Sequence, residues 1–205
     1  MQVMKTRKKM LGEEHPDTLD SMNNLTSTYG NQGRWKEAEE LEVQVMKTRK
    51  KMLGEEHSST LISMNNLALT YKNQERWKEA EELNVQVMKT SKKMLGEEHP
   101  STLISMNNLA LIYGKQGRWK EAEELNVQVM KTRKKVLGEE HPSTLISMHN
   151  LAYTLKSQSR EAEAISLMET CFKLRKQILG PTHSHTETSL KALHEWKGGE
   201  DKFEH

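Results

Sequence analysis

Paired carboxamides recur at a fixed interval along the chain: Asn23–Asn24, Asn65–Asn66 and Asn107–Asn108, followed by His149–Asn150. An asparagine side chain carries a donor and an acceptor together, the chemistry that suits the main chain of a peptide of any sequence. In a helix each one costs ~0.6 kcal/mol relative to alanine, so the pairs stand against local propensity. A second recurring group is histidine, at His15, His57, His99 and His141, with His183 and His185 beyond. Metal ligation needs several ligands around one centre. Residues one copy apart in a helical stack lie roughly 10 Å from each other, too far to share an ion, so no metal site is expected and these histidines read as corner caps or packing groups.

The remaining candidates are also weak. The basic run "KTRKK" occurs as Lys5–Lys9, Lys47–Lys51 and Lys131–Lys135, with "KTSKK" at Lys89–Lys93. Stacked, these runs would make a stripe for phosphates or acidic peptides, but the pairs Glu55–Glu56, Glu97–Glu98 and Glu139–Glu140 follow closely and offset them. They read as a solvated helix face, and nucleic acid is not an expected partner. Cys171 has no evident base and is expected to be buried. No Walker loop, G-x-S-x-G or H-E-x-x-H occurs. Catalysis asks for a singular, non-repeating polar cluster; no catalytic residue, enzymatic activity or cofactor is expected.

Size and composition set the frame. The chain has 205 residues, 34% hydrophobic and 29% charged, with four prolines and a net charge of +2. That is polar for a globule, and a stack of repeats with its large surface accounts for the polarity. The single cysteine fits a reducing compartment. No signal-peptide core or membrane-length apolar run is evident, so a cytoplasmic protein without membrane partners is expected.

The asparagines, histidines and basic runs keep step because the sequence repeats every 42 residues without gaps, the fourth copy matching to Ala152 before it decays and a fifth beginning at Glu169 and then fading. Segments 43–84 and 85–126 differ at six positions: Arg49/Ser91, Ser58/Pro100, Thr70/Ile112, Lys72/Gly114, Asn73/Lys115 and Glu75/Gly117. Such a period marks stacked two-helix units. In one unit Pro100 opens the first helix, with Ser101 or Thr102 as its cap. Leu103, Met106, Leu109, Ala110 and Tyr113 then form one helical face. Gly114 to Arg118 is read as the turn, with Gly117 at a left-handed position. The second helix runs from Trp119 to Leu137 and stops at Gly138. Where "YKNQER" replaces "YGKQGR" both glycines are lost, and that turn should be less relaxed. The fourth copy has Glu161 in place of Trp35, Trp77 and Trp119, a loss of core identity of the kind seen in terminal repeats.

The pattern "NNLAxxYxxQGRWKEAEEL…LGEEHP" resembles the 42-residue tetratricopeptide repeats of kinesin light chains and of arrays in fungal NLR-like proteins. Its signature residues are Leu67, Ala68, Tyr71 and Ala80 in one copy and Leu109, Ala110, Tyr113 and Ala122 in the next. Thr26 replaces the small alanine in the first copy, and Leu155 replaces tyrosine in the fourth. The resemblance implies an all-α, right-handed α-solenoid of antiparallel helix pairs whose first helices line a concave groove for peptide segments. It implies no chemistry of its own.

One array is therefore expected over 1–190, with a half-helix at 1–11, pairs at about 16–53, 58–95, 100–137 and 142–179, a partial helix at about 184–196, and a polar tail at 197–205. The expected function is a protein-interaction scaffold with a protein or peptide ligand. The resemblance places Asn24, Asn66, Asn108 and Asn150 on or beside the groove, with Asn65, Asn107 and His149 next to them. Two readings of the pairs stand together: rungs for a bound main chain, or ties from one helix to a neighbour. The alternative function is end-to-end self-assembly into a homo-oligomer through the incomplete terminal helices, with Val3, Met4 and Met10 at the contact.

Overall fold

A computed structural model describes residues 2–198 of the chain. Ten helices follow one another: α1 (Gln2–Leu11), α2 (Pro16–Asn31), α3 (Trp35–Leu53), α4 (Ser58–Asn73), α5 (Trp77–Leu95), α6 (Pro100–Lys115), α7 (Trp119–Leu137), α8 (Pro142–Ser157), α9 (Glu161–Leu179) and α10 (Ser184–Trp196). No strand occurs among the described residues. Most of the expected tail, 199–205, lies outside them. Contacts divide the chain into two compact units, Met1–Ser105 and Met106–His205.

In the first unit α1 packs on α2, α2 on α3, α3 on α4 and α4 on α5. Leu19 and Met22 of α2 close on Val45 of α3, while Leu25 and Tyr29 close on Ala38. The same set, advanced by one copy, joins Leu61 and Met64 to Val87. In the second unit α7 packs on α8, α8 on α9 and α9 on α10. Leu145 and Met148 meet Cys171 there, and Leu151 and Leu155 meet Ala164. Cys171 is buried; burial raises its thiol pKa, and Sγ donates to the Leu145 carbonyl at 3.2 Å. Ala80, Ala122 and Ala164 are buried to the last atom or nearly so, because two helices that approach this closely leave room for a methyl group and nothing larger.

The corners are built differently from the sequence reading. Neither Ser101 nor Thr102 caps α6. The ring Nδ1 of His99 accepts the Ser101 amide at 3.1 Å, and Thr102 turns its hydroxyl back to the Gly96 carbonyl at 2.8 Å. His15, His57, His141 and His183 cap α2, α4, α8 and α10 in the same way. The imidazole Nδ1 of the residue two positions before the amide thus supplies the acceptor that Ser, Thr, Asp or Asn usually provides. The turn from first to second helix is shorter than expected. Gly114 belongs to α6, and an added Cβ there would sit 3.1 Å from the Trp119 ring. Gly117 takes φ 75° and Gly33 φ 71°, while Glu75 and Ser159 hold the same left-handed position at φ 61° and 60° without being glycine.

Candidate functional site on the even-numbered helices

The even-numbered helices each bury one face and leave the other outward. On α4 the outward stripe is Ser58, Ile62, Asn66, Leu69 and Asn73, with the two apolar members 56% and 47% exposed. These positions fall at i, i+4, i+8, i+11 and i+15, one side of a 3.6-residue helix. On α8 the stripe reads Ile146, Asn150, Tyr153 and Ser157, and on α6 Ile104, Asn108, Leu111 and Lys115. In the first copy it is polar throughout: Asp20, Asn24, Ser27 and Asn31 on α2. Large aliphatic groups are thus displayed beside carboxamides on α4, α6 and α8, and not on α2.

The expected site residues divide by position within each pair. Asn24 is exposed, and Asn66, Asn108 and Asn150 are half-buried on the outward stripe. Asn65, Asn107 and His149 are also half-buried. Asn150 donates from Nδ2 to Asn107 Oδ1 at 2.7 Å, linking α8 to α6. In the first copy the Asn23 side-chain oxygen, in the orientation that satisfies both groups, accepts from both terminal nitrogens of Arg49 at 3.1 and 3.2 Å. His149 Nδ1 lies 3.2 Å from Arg175. Burial, then the charges of Arg175 and His185, lowers its pKa to about 4, so the ring is neutral at physiological pH and Nδ1 accepts the guanidinium N–H. The packing residues Leu67, Ala68, Ala80, Leu109, Ala110 and Ala122 are buried. Tyr71 and Tyr113 are half-buried, with the guanidinium carbons of Arg76 and Arg118 4.2 and 4.0 Å above their rings.

The arginine of "KTRKK" does not belong to a solvated face. Arg49 and Arg133 are each 8% exposed and Arg175 2%. Arg49 donates to the Ser59 carbonyl at 3.3 Å and to Ser63 Oγ at 3.0 Å, Arg133 to the Ser143 carbonyl and Ser147 Oγ, and Arg175 to the His185 carbonyl and Ser189 Oγ. Arg7 makes the same two bonds, to the Asp17 carbonyl and Ser21 Oγ. Each arginine therefore fastens an odd-numbered helix to the start of the next helix. Burial lowers the pKa of Arg133 and Arg175 from the usual arginine value. The lysines of the run do lie outside and meet the acidic pairs: Lys51 with Glu14 at 2.9 Å, Lys92 with Glu97 and Lys93 with Glu56 at 2.6 Å, and Lys50 with Glu55. The sequence signal for the buried arginine was its one replacement, Ser91, a small residue inside an otherwise basic run.

A second buried group escaped the sequence reading. Glu42 occupies the place held by Asn84 and Asn126 in later copies. It is 5% exposed, faces Thr70 and Thr26, and its Oε2 makes no hydrogen bond among the described residues. Burial raises its pKa above the usual carboxylate value. With Asn66, Leu69 and Asn73 it lines a cavity of about 260 Å³ between α2, α3 and α4. Among the described residues no three histidine, cysteine or acidic side chains converge as a metal site, and no helix is long and apolar enough to cross a membrane.

Antiparallel helix pairs with one buried alanine-lined seam, repeated copy after copy, define an α-solenoid. Tetratricopeptide repeat family models match residues 18–59, 59–135 and 102–177. The crystal structure of a kinesin light chain-like protein of Podosopora anserina with nearly identical TPR-like repeats is 35% identical, with a TM-score of 0.78 over 92% of this chain and 90% of that one. A point variant of that protein gives 35% and 0.79 over the same shares. BtubC (BKLC) from P. vanneervenii shares the fold at 18% identity and a TM-score of 0.77, covering 96% of this chain and 80% of its own. No curated protein matches the sequence. The chain belongs to the tetratricopeptide repeat family, in its kinesin light chain-like form, and the fold is that of a protein-interaction scaffold.

Proposed function

We infer that this chain is a non-enzymatic scaffold that holds peptide segments against the outward faces of the even-numbered helices within each compact unit. The observation that carries the reading is the exposed stripe Ile62–Asn66–Leu69–Asn73 on α4, with its counterparts on α6 and α8. Aliphatic groups at this level of exposure offer burial worth about 25 cal/mol per Å² of apolar surface to a partner. The carboxamides between them give a peptide main chain its hydrogen bonds without fixing its sequence. The polar stripe on α2 predicts that the first copy contributes least. A cytoplasmic setting belongs to the same proposal.

The test is a peptide-array screen followed by titration calorimetry on the strongest peptide. Asn66→Ala, Asn108→Ala and Asn150→Ala, each alone, are expected to weaken binding about tenfold, close to one hydrogen bond's worth of ~1.4 kcal/mol. Circular dichroism should stay unchanged. Undiminished affinity in all three variants would sink the reading. End-to-end assembly is a second reading, favoured by α1, which buries none of its residues and exposes Val3 and Met10. Light scattering at rising concentration separates the two, since only assembly predicts a mass that climbs and that falls back in Val3→Ser or Met10→Ser.

A further inference from the structure

The second copy lacks the arginine that fastens the others, and most of what surrounds that position is kept. Advancing Arg49 and its partners by 42 residues maps Leu19 onto Leu61, Asp20 onto Ile62, Asn23 onto Asn65, Val45 onto Val87, Arg49 onto Ser91, Ser59 onto Ser101 and Ser63 onto Ser105. These residues line a cavity of about 180 Å³ in the first unit, between α4, α5 and the start of α6. Ser91 and Ser105 are its floor, each 1% exposed, and the exposed Ile62, Leu95 and Ile104 stand at its mouth. Leu61 and Val87 supply apolar wall, and Ser58, Asn65 and Ser101 complete the lining.

The receptor for a guanidinium is therefore present without a guanidinium of its own. In four other places the same pair of acceptors, a serine hydroxyl and the carbonyl four residues before it (from Asp17, Ser59, Ser143 and His185), receives one. At those sites the serine hydroxyl donates in turn to that same carbonyl, at 2.8 to 3.2 Å. Ser105 alone turns its hydroxyl to the Thr102 carbonyl, at 2.8 Å. Arg133 and Arg175 are held with no carboxylate in reach among the described residues, so replacement of Asp20 by Ile62 does not remove the receptor. A guanidinium suits it better than an ammonium. In all four places one terminal guanidinium nitrogen donates to carbonyl and hydroxyl together, and a guanidinium is less strongly hydrated than an ammonium when it enters a buried site.

We propose that this cavity is a binding site for the arginine side chain of a partner peptide, entering past Ile62 and Ile104 and bonding Ser101 O and Ser105 Oγ in the place the chain's own arginine takes in the other copies. The site deepens the peptide-scaffold reading by naming one residue of the partner, and it rests on that reading. Asn66, Asn108 and Asn150 do not line it, so the two fail separately.

The test is an NMR titration of the full chain, following the amides of Asn65, Ser91, Ser101 and Ser105, with n-butylguanidinium as the probe. Saturable shifts at these amides are expected at low-millimolar ligand, at least about tenfold weaker with n-butylammonium and with pentanol. Ser91→Arg restores the residue of the other copies and is expected to abolish the shifts and raise the melting temperature. Ser91→Met, which fills the cavity without a guanidinium, should abolish the shifts as well, and serves if the arginine variant does not fold. Ac-Ala-Arg-Ala-NH2 should reproduce the shifts where Ac-Ala-Lys-Ala-NH2 does not. Absence of saturable shifts, equal binding of pentanol, or retention in both Ser91 variants would overturn the site. Binding of butylguanidinium without the arginine peptide would overturn the peptide as its occupant.

Discussion

Glu42 shows how far one side chain can depart from its copies within a preserved frame. A carboxylate that burial leaves short of partners favours its protonated form, so its folded pKa lies above the unfolded one. Its contribution to stability is then greatest at acid pH and is lost as pH rises through the raised folded value. Glu42→Asn, the residue of Asn84 and Asn126, is expected to stabilise the fold by about 1–2 kcal/mol at pH 7. The gain should shrink below about pH 4, where glutamate is protonated in both states. Urea unfolding at the two pH values checks this; an equal gain at both would assign the effect to packing. Glu42 was not legible in the sequence, and the buried arginines left only the single replacement at Ser91 as a sign. A charge among charges reads as solvated, and only a helix pair in place shows that position 49 points into the seam while Lys50 and Lys51 point out.

At the scale of the element, most of the architecture was legible, because 42-residue periodicity and the 3.6-residue apolar pattern each mark the same helices. The caps were not. Histidine is an uncommon helix cap, and the serine and threonine beside it carry the usual signal while doing other work. The turn between α4 and α5 carries a further prediction. Glu75 sits at φ 61° where the first and third copies place glycine, and an L-residue in that region costs about 1 kcal/mol or more. Glu75→Gly should therefore stabilise the chain by about 1 kcal/mol in thermal unfolding. No gain would mean that the ordering of the glycine chain offsets the relieved strain.

For the whole molecule, net charge of +2 conceals many local pairs. The lysines of the basic runs are matched by the glutamates of the following corner, all at the surface. Exposed pairs contribute little each and are screened by salt. Raising salt from about 0.05 to 0.5 M is thus expected to move the melting temperature by no more than about 2–3 °C; a larger drop would mean the pairs act as a network. Near-identity of the copies has one more consequence, for how the chain finds its fold. A helix such as α3 has two almost equal surfaces on which to dock, α4 or α6, and local sequence barely distinguishes them. The distinction lies in the few positions where the copies differ. On α4, Glu42 faces the hydroxyl of Thr70; on α6 the same place is Ile112, and the carboxylate would be buried against hydrocarbon. Arg49, bonded to Asp20 at 2.6 Å, has in the next copy only Ser91 as counterpart. These irregularities act as addresses, written into an otherwise uniform text so that each helix is returned to its own neighbour.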